Sequence, residues 1–295
     1  MAIRKFLVLS DRNRRQILEA YMIFGGIPYY WSLLQRGASL TQEIDRLLFS
    51  EDGDLFDEFD MLYASLFKKP EPYVRVIALL AGRKSGMTRK ELIAAGRFED
   101  NGRFTDVLKD LEWCGFIRSY AMMGKRVKDE VFQLMDHYTL FYYTFIHHQR
   151  HGKNFWQAMR GKPQYNTWCG LAFERACLWH IDQIKQKLGI AGILTNEYAW
   201  QVSPANSALG KGAQIDLLID RSDGIIDICE VKYAKDRFAI TQDYQKELEE
   251  KTAVFVQTTK TRSAVHTVMI TTEGIIYNMY ASEVQGEIRL DDLFA

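Results

Sequence analysis

From Asp11 the chain reads as a helix that passes from charged to apolar, and over 40–69 apolar positions recur every three or four residues, the spacing of a helix that buries one stripe. The first stretch, DRNRRQILEAYMIFGGIPYYWSLLQRG, starts charged, turns apolar and breaks at Gly25-Gly26 and Pro28. The second is interrupted by the turn Glu51-Asp52-Gly53-Asp54. Together they predict a small helical subdomain over 1–69. Pro70 and Pro72 mark a boundary. Beyond it come an apolar helix, a turn, and Thr88 followed three residues later by Glu91, the spacing of a capping box. A longer helix is expected around Gly102–Cys114. Two β-rich runs, GFIRSYAM and EVFQLMD, then flank the basic turn GKRVK. Three helices and a hairpin predict a winged helix over 70–136. The aromatic-rich stretch that follows predicts a connecting helix over 137–160.

The texture changes over 161–295. The helix WCGLAFERACLWHIDQIKQKLG precedes strand-like runs at EYAWQV, AQIDLLID and GIIDICEVKY. A charged helix, TQDYQKELEEKTAVF, leads to the strand-like AVHTVMITTEGIIYNMY. This order predicts an α/β domain with a mixed sheet, and for the chain as a whole a multidomain α+β fold.

Composition narrows the class. The 295 residues are 47% hydrophobic and 26% charged, a soluble globular balance too long for one core. Basic and acidic residues number 38 each. Residues 1–160 hold 24 basic and 20 acidic side chains, and the remainder 14 and 18, so nucleic-acid contact in the first part is permitted and not demanded. Cys114, Cys169, Cys177 and Cys229 form no CxxC pair and are expected as reduced core thiols. No apolar run approaches the roughly 18–20 residues of a membrane span. The start MAIRKFLVLSDRNRR has too short an apolar segment for a signal peptide. A cytoplasmic protein is expected.

The strand IDICEVKYA, residues 226–234, ends in Glu230 and Lys232 on one face, because side chains alternate with period two. It is joined to QIDLLID by the turn RSDG. If Asp220 pairs with Ile225, Asp216 falls opposite Cys229, and a one-residue bulge puts it opposite Glu230. A register slip would send Asp216 to the other face. Two carboxylates and a lysine at one sheet end can hold Mg²⁺ and position a water. An internal salt bridge without chemistry is the competing reading. Glu174, in the apolar stripe of Leu171, Ala172, Cys177 and Leu178, could add a third carboxylate.

Asp216 followed by Glu230-Val231-Lys232 resembles the PD-(D/E)xK nuclease signature, with Glu174 matching the glutamate that the first helix often supplies. Ile215 stands in place of the proline, so only the acidic residue of that half is retained. The resemblance implies Mg²⁺ on Asp216 and Glu230, Lys232 assisting the attacking water, and Glu174 completing the site. Tyr244 and Lys251, on the next helix, are expected as accessory residues. More widely, YMIFGGIPYYW, SLTQEIDRLLF, the winged-helix region, GLAFERACLWH and AQIDLLIDRSDGIIDICEVKY occur in the order seen in archaeal-type AAA+/STAND ATPases that carry a C-terminal nuclease-like domain. That likeness spans essentially the whole chain. It implies a P-loop ATPase core ahead of GGIPYYW, with ATP bound there, and makes this chain the C-terminal part of such a protein. No GxxxxGK[ST] is present, so no ATP hydrolysis is expected from these residues, and Gly25, Gly26 and Pro28 are expected as a helix-to-helix turn.

Two readings follow. One is a Mg²⁺-dependent nuclease acting on DNA, or a relic of it. The other is a non-catalytic regulatory module that docks DNA or protein within the larger ATPase, whose core would be a partner; oligomerisation is open. DNA contact would fall to Arg103, Lys109, Lys125, Arg126 and Lys128, although Asp106, Asp110 and Glu112 oppose the charge of that helix. His147, His148 and His151 have helical spacing but no acidic or cysteine neighbour, which favours a solvated helix end. The tryptophans at 156, 168, 179 and 200 are expected mostly as packing.

Overall fold

The computed structural model describes residues 13–124, 130–147, 152 and 154–294. The chain is a mixed α+β protein with two compact units: Met1–Ser119 with Val131–Ala176, and Tyr120–Glu130 with Cys177–Ala295.

In the first unit, α1 (Arg14–Phe24) is capped by Asn13, whose side chain accepts from the Gln16 N–H at 2.9 Å. It ends at Gly25 with φ of +59°, a conformation that costs a residue without Cβ little. Pro28 then opens α2 (Pro28–Ser32), where its missing N–H is no loss. The glycines therefore form the helix-to-helix turn that their spacing predicts. α3 (Leu40–Ile44) runs into a π-helical turn (Asp45–Phe49), and α4 (Glu58–Leu66) follows the acidic turn.

Next come α5 (Glu71–Ala81), β1 (Met87–Thr88), α6 (Arg89–Gly96), α7 (Gly102–Trp113), β2 (Ile117–Tyr120) and β3 (Val131–Leu134). The three strands form one sheet in the order β1-β3-β2. The Thr88 capping box is made: its hydroxyl accepts from the Glu91 N–H at 3.3 Å, and the Glu91 carboxylate accepts from the Thr88 N–H at 2.7 Å.

The connecting helix expected over 137–160 is replaced by two helices, α8 (His137–Phe145) and α9 (Phe155–Met159). α8 belongs to the core of this unit. Its Phe141 and Phe145 rings meet Trp156 and Trp168 at centroid distances of 5.0–5.6 Å. α9 starts where it does because the buried Asp45 carboxylate accepts from the N–H groups of Trp156 and Gln157, at 2.7 and 3.2 Å.

α10 (Pro163–Trp179) contains the division between units, and α11 (Ile181–Lys187) is separated from it at the buried His180, so the helix expected there is also two. The second unit continues with β4 (Thr195–Val202), β5 (Ala213–Arg221), β6 (Ile225–Lys232), β7 (Phe238–Ala239), α12 (Gln242–Thr259), β8 (Ala264–Thr271), β9 (Ile275–Ile276) and β10 (Val284–Arg289). Five strands form a mixed sheet in the order β10-β8-β6-β5-β4. β4, β5 and β6 are antiparallel neighbours, whereas β6–β8 and β8–β10 are parallel. α12 makes the crossover between β6 and β8, as a parallel pair requires. The strand β10 has no counterpart among the sequence expectations.

β6 lies at the centre of this sheet and is buried on both faces, which accounts for its nearly continuous apolar run. Ile226 and Ile228 pack with Leu218, Trp200, Val254 and Phe255 on the α12 side. Cys169, Cys177 and Cys229 are buried, but Cys114 is exposed. It follows the last turn of α7, outside the buried stripe of Phe104, Val107, Leu108 and Leu111, and so departs from the expectation for all four. Among the described residues no helix is long and apolar enough to cross a membrane.

Candidate functional site

The β5–β6 ladder pairs Asp220 with Ile226, Ile219 with Asp227, Leu218 with Ile228 and Leu217 with Cys229. Continued one step, this register sets Asp216 level with Glu230. The register in which Asp220 pairs with Ile225 is not the one adopted.

Level along the strand is not the same as facing one site. Across β5, the partner β4 skips from Tyr198↔Leu218 to Trp200↔Ile215, so a bulge sits at Asp216-Leu217. Ile215 and Leu218 both join the cluster against α12 although they are three positions apart, an odd spacing. The alternation is therefore offset at the bulge. Ala213 and Ile215 point toward α12, and Gln214 and Asp216 leave on the other face. The Gln214 side-chain amide donates to Asp216 Oδ1 at 2.6 Å. The expected convergence of Asp216 with Glu230 is thus met in level and lost in direction, the outcome that a one-residue offset produces.

Glu230 closes the face that Ile226 and Ile228 begin. The residue is 7% exposed, and its carboxylate accepts from the Lys251 ammonium of α12 at 2.5 Å. Lys232, two residues on, holds its Nζ 5.1 Å from the centroid of the Tyr244 ring, a cation–π contact. Burial pushes the Tyr244 phenol well above its ordinary range, and the charges of Glu230 and Glu247 push it further. Glu230, Lys232, Tyr244 and Lys251 therefore form one cluster where β6 meets α12. Lys251 and Tyr244 reach it because α12 crosses over β6, a placement that strand spacing does not encode.

Glu174 belongs to the first unit. Its Oε1 stands 2.9 Å from Lys84 Nζ, in the loop between α5 and β1. The Lys84 carbonyl in turn accepts from Gln133 Nε2 and Arg175 Nη2, each at 2.8 Å.

Among the described residues no three His, Cys, Asp or Glu side chains gather as a metal-holding group. Glu230 already has a cation at its carboxylate, and Asp216 leaves the opposite face.

On α7, Arg103 and Lys109 are both exposed. Two of the acids that oppose them in sequence are drawn into internal contacts. Asp110 accepts from the Tyr73 hydroxyl at 2.7 Å, and burial with this carboxylate raises that phenol to about 12. Glu112 accepts from the Ser119 N–H and hydroxyl at 2.8 and 2.6 Å. Asp106 stays exposed. Arg103, Asp106, Lys109 and Trp113 follow three- and four-residue steps along one helical face, and Trp113 is 90% exposed. That spacing was available in the sequence as a signal for Trp113. Lys125, Arg126 and Lys128 lie outside the described residues, as do His148 and His151; His147 is exposed. Trp156, Trp168 and Trp200 are buried packing residues, and Trp179 is 47% exposed.

Comparison of the chain with family models, curated proteins and solved structures found no match.

Proposed function

We propose that this chain is a DNA-docking regulatory module, the C-terminal part of an AAA+/STAND-type ATPase, in which a nuclease-like α/β unit is retained without nuclease chemistry. The observation that carries the reading is the outer face of α7. Arg103, Lys109 and Trp113 stand exposed there, while Asp110 and Glu112 are occupied by Tyr73 and Ser119. The order α5-β1-α6-α7-β2-β3 with sheet order β1-β3-β2 supports a winged helix, whose third helix is the groove reader. Basic side chains that neutralise phosphates supply affinity, and an exposed tryptophan adds an apolar contact.

Anisotropy of labelled duplex DNA, titrated at several salt concentrations, tests this reading. Arg103→Ala and Lys109→Ala should each weaken binding across sequences and lower the salt slope by about one. Binding that neither substitution alters, or no salt-dependent binding at all, refutes it.

A second reading, a Mg²⁺-dependent nuclease, is favoured by the register that sets Asp216 level with Glu230. Incubation with DNA and Mg²⁺ or Mn²⁺ separates the two. Cleavage by the native chain that is lost in both Asp216→Ala and Lys232→Ala supports the nuclease. Intact DNA in all three samples supports the docking module.

A further inference from the structure

We propose that the Lys251 ammonium is the built-in counter-cation of Glu230, filling the role that a divalent cation has in the nuclease-type site these strands resemble. The inference rests on the non-catalytic reading above and concerns the site that reading leaves without chemistry.

A carboxylate as buried as Glu230 needs a compensating charge. Lys251 supplies it at 2.5 Å, with both side chains mostly out of water. The Lys232 ammonium also lies at this end of β6, and its position over the Tyr244 ring points it to a different partner. Lys251 is also held in place by its helix. Leu248, almost one turn earlier, is buried in a cluster with Ile240, Met269 and Ile275, and Val254 and Phe255, one turn later, are buried against β5 and β6. The ammonium is thereby delivered to Glu230 from a fixed stretch of α12. One carboxylate meets one monovalent cation, so the pair is neutral without a metal. Asp216, turned to the other face by the bulge, is not there to add the second negative charge that favours a divalent ion.

Removing the ammonium should expose a vacancy that a divalent ion can fill. Thermal unfolding with increasing Mn²⁺, alongside direct Mn²⁺ binding by electron paramagnetic resonance, is measured for the native chain, Lys251→Met, Lys251→Arg and Lys251→Met with Glu230→Gln. Lys251→Met should bind Mn²⁺ at least roughly tenfold more tightly than the native chain, because the ion restores the missing charge, and its midpoint should rise accordingly. Lys251→Arg should behave as the native chain, and the double variant should gain nothing. If Lys251→Met does not fold in buffer, recovery of the folded state with Mn²⁺ supports the inference and no recovery overturns it. Lack of Mn²⁺ response in every variant also overturns it while leaving the non-catalytic reading intact. Equal, Glu230-dependent binding by the native chain and Lys251→Met overturns both.

Discussion

The ammonium of Lys84 stands 2.9 Å from the carboxylate of Glu174, ninety residues away in sequence. A glutamate in an apolar stripe of α10 thus has a partner from a loop of its own unit, and the two roles open to it, structural anchor or catalytic helper, make different demands. Lys84 is 51% exposed at its side chain and Glu174 13%, so the pair is screened on one side. Lys84→Ala and Glu174→Gln should each cost at most about 1 kcal/mol in urea denaturation. Glu174→Gln should leave DNA affinity unchanged; a folded variant that loses a nuclease activity seen in the native chain would return Glu174 to catalysis.

Asp45 sets the start of α9 from 111 residues away in sequence, by accepting from the Trp156 and Gln157 N–H groups. In Asp45→Ala the buried Trp156 N–H and the partly buried Gln157 N–H lose their acceptor. The expected loss is about 2–4 kcal/mol, the sum of a helix cap and an unsatisfied buried donor. Chemical denaturation followed by tryptophan fluorescence reads it, since Trp156 is fully buried in this unit.

Glu19 is a buried carboxylate whose burial raises its affinity for a proton, against the opposing pull of Arg160 at 3.3 Å. The folded state therefore holds this proton more tightly than the unfolded chain does. Its contribution to stability is most favourable below the ordinary value of 4.5 and declines as pH rises through the raised folded value. Glu19→Gln keeps the shape and removes the titration. The difference in unfolding free energy between pH 5 and pH 8 should become less favourable to pH 5 in this variant than in the native chain. An unchanged difference would show that Glu19 is not the group responsible.

The Thr88–Glu91 box behaves in the opposite sense. Hydrogen bonds from the Thr88 backbone and hydroxyl hold the Glu91 carboxyl below its usual range, so its contribution is present above the ordinary carboxylate value and is lost as pH falls through the lowered one. Thr88→Ala should cost about 1 kcal/mol near neutral pH and progressively less in acid, as proton uptake by Glu91 weakens the native box. Unfolding midpoints at pH 7 and pH 3 check both parts.

Much of this architecture is written in short-range pattern. Thr88 and Glu91, three apart, announce the start of α6, and Gly25 followed by Pro28 announces the break between α1 and α2, because caps and turns are decided by residues within one helical turn of each other. The alternation of Ile226, Ile228, Glu230 and Lys232 likewise states that one face of β6 passes from apolar to charged. Sequence spacing could not choose between Ile225 and Ile226 as the partner of Asp220, since each strand alternates by itself whichever register is taken, while a one-residue slip changes which faces of the two strands align. The bulge at Asp216-Leu217 is a property of the β4–β5 pairing. The partners of Glu174 and Glu230, Lys84 and Lys251, come from a loop and a helix that only chain folding carries there. Local patterns thus chose the elements and their faces, while register, bulge and long-range charge pairing, which depend on the simultaneous packing of separate segments, decided which carboxylates share a site.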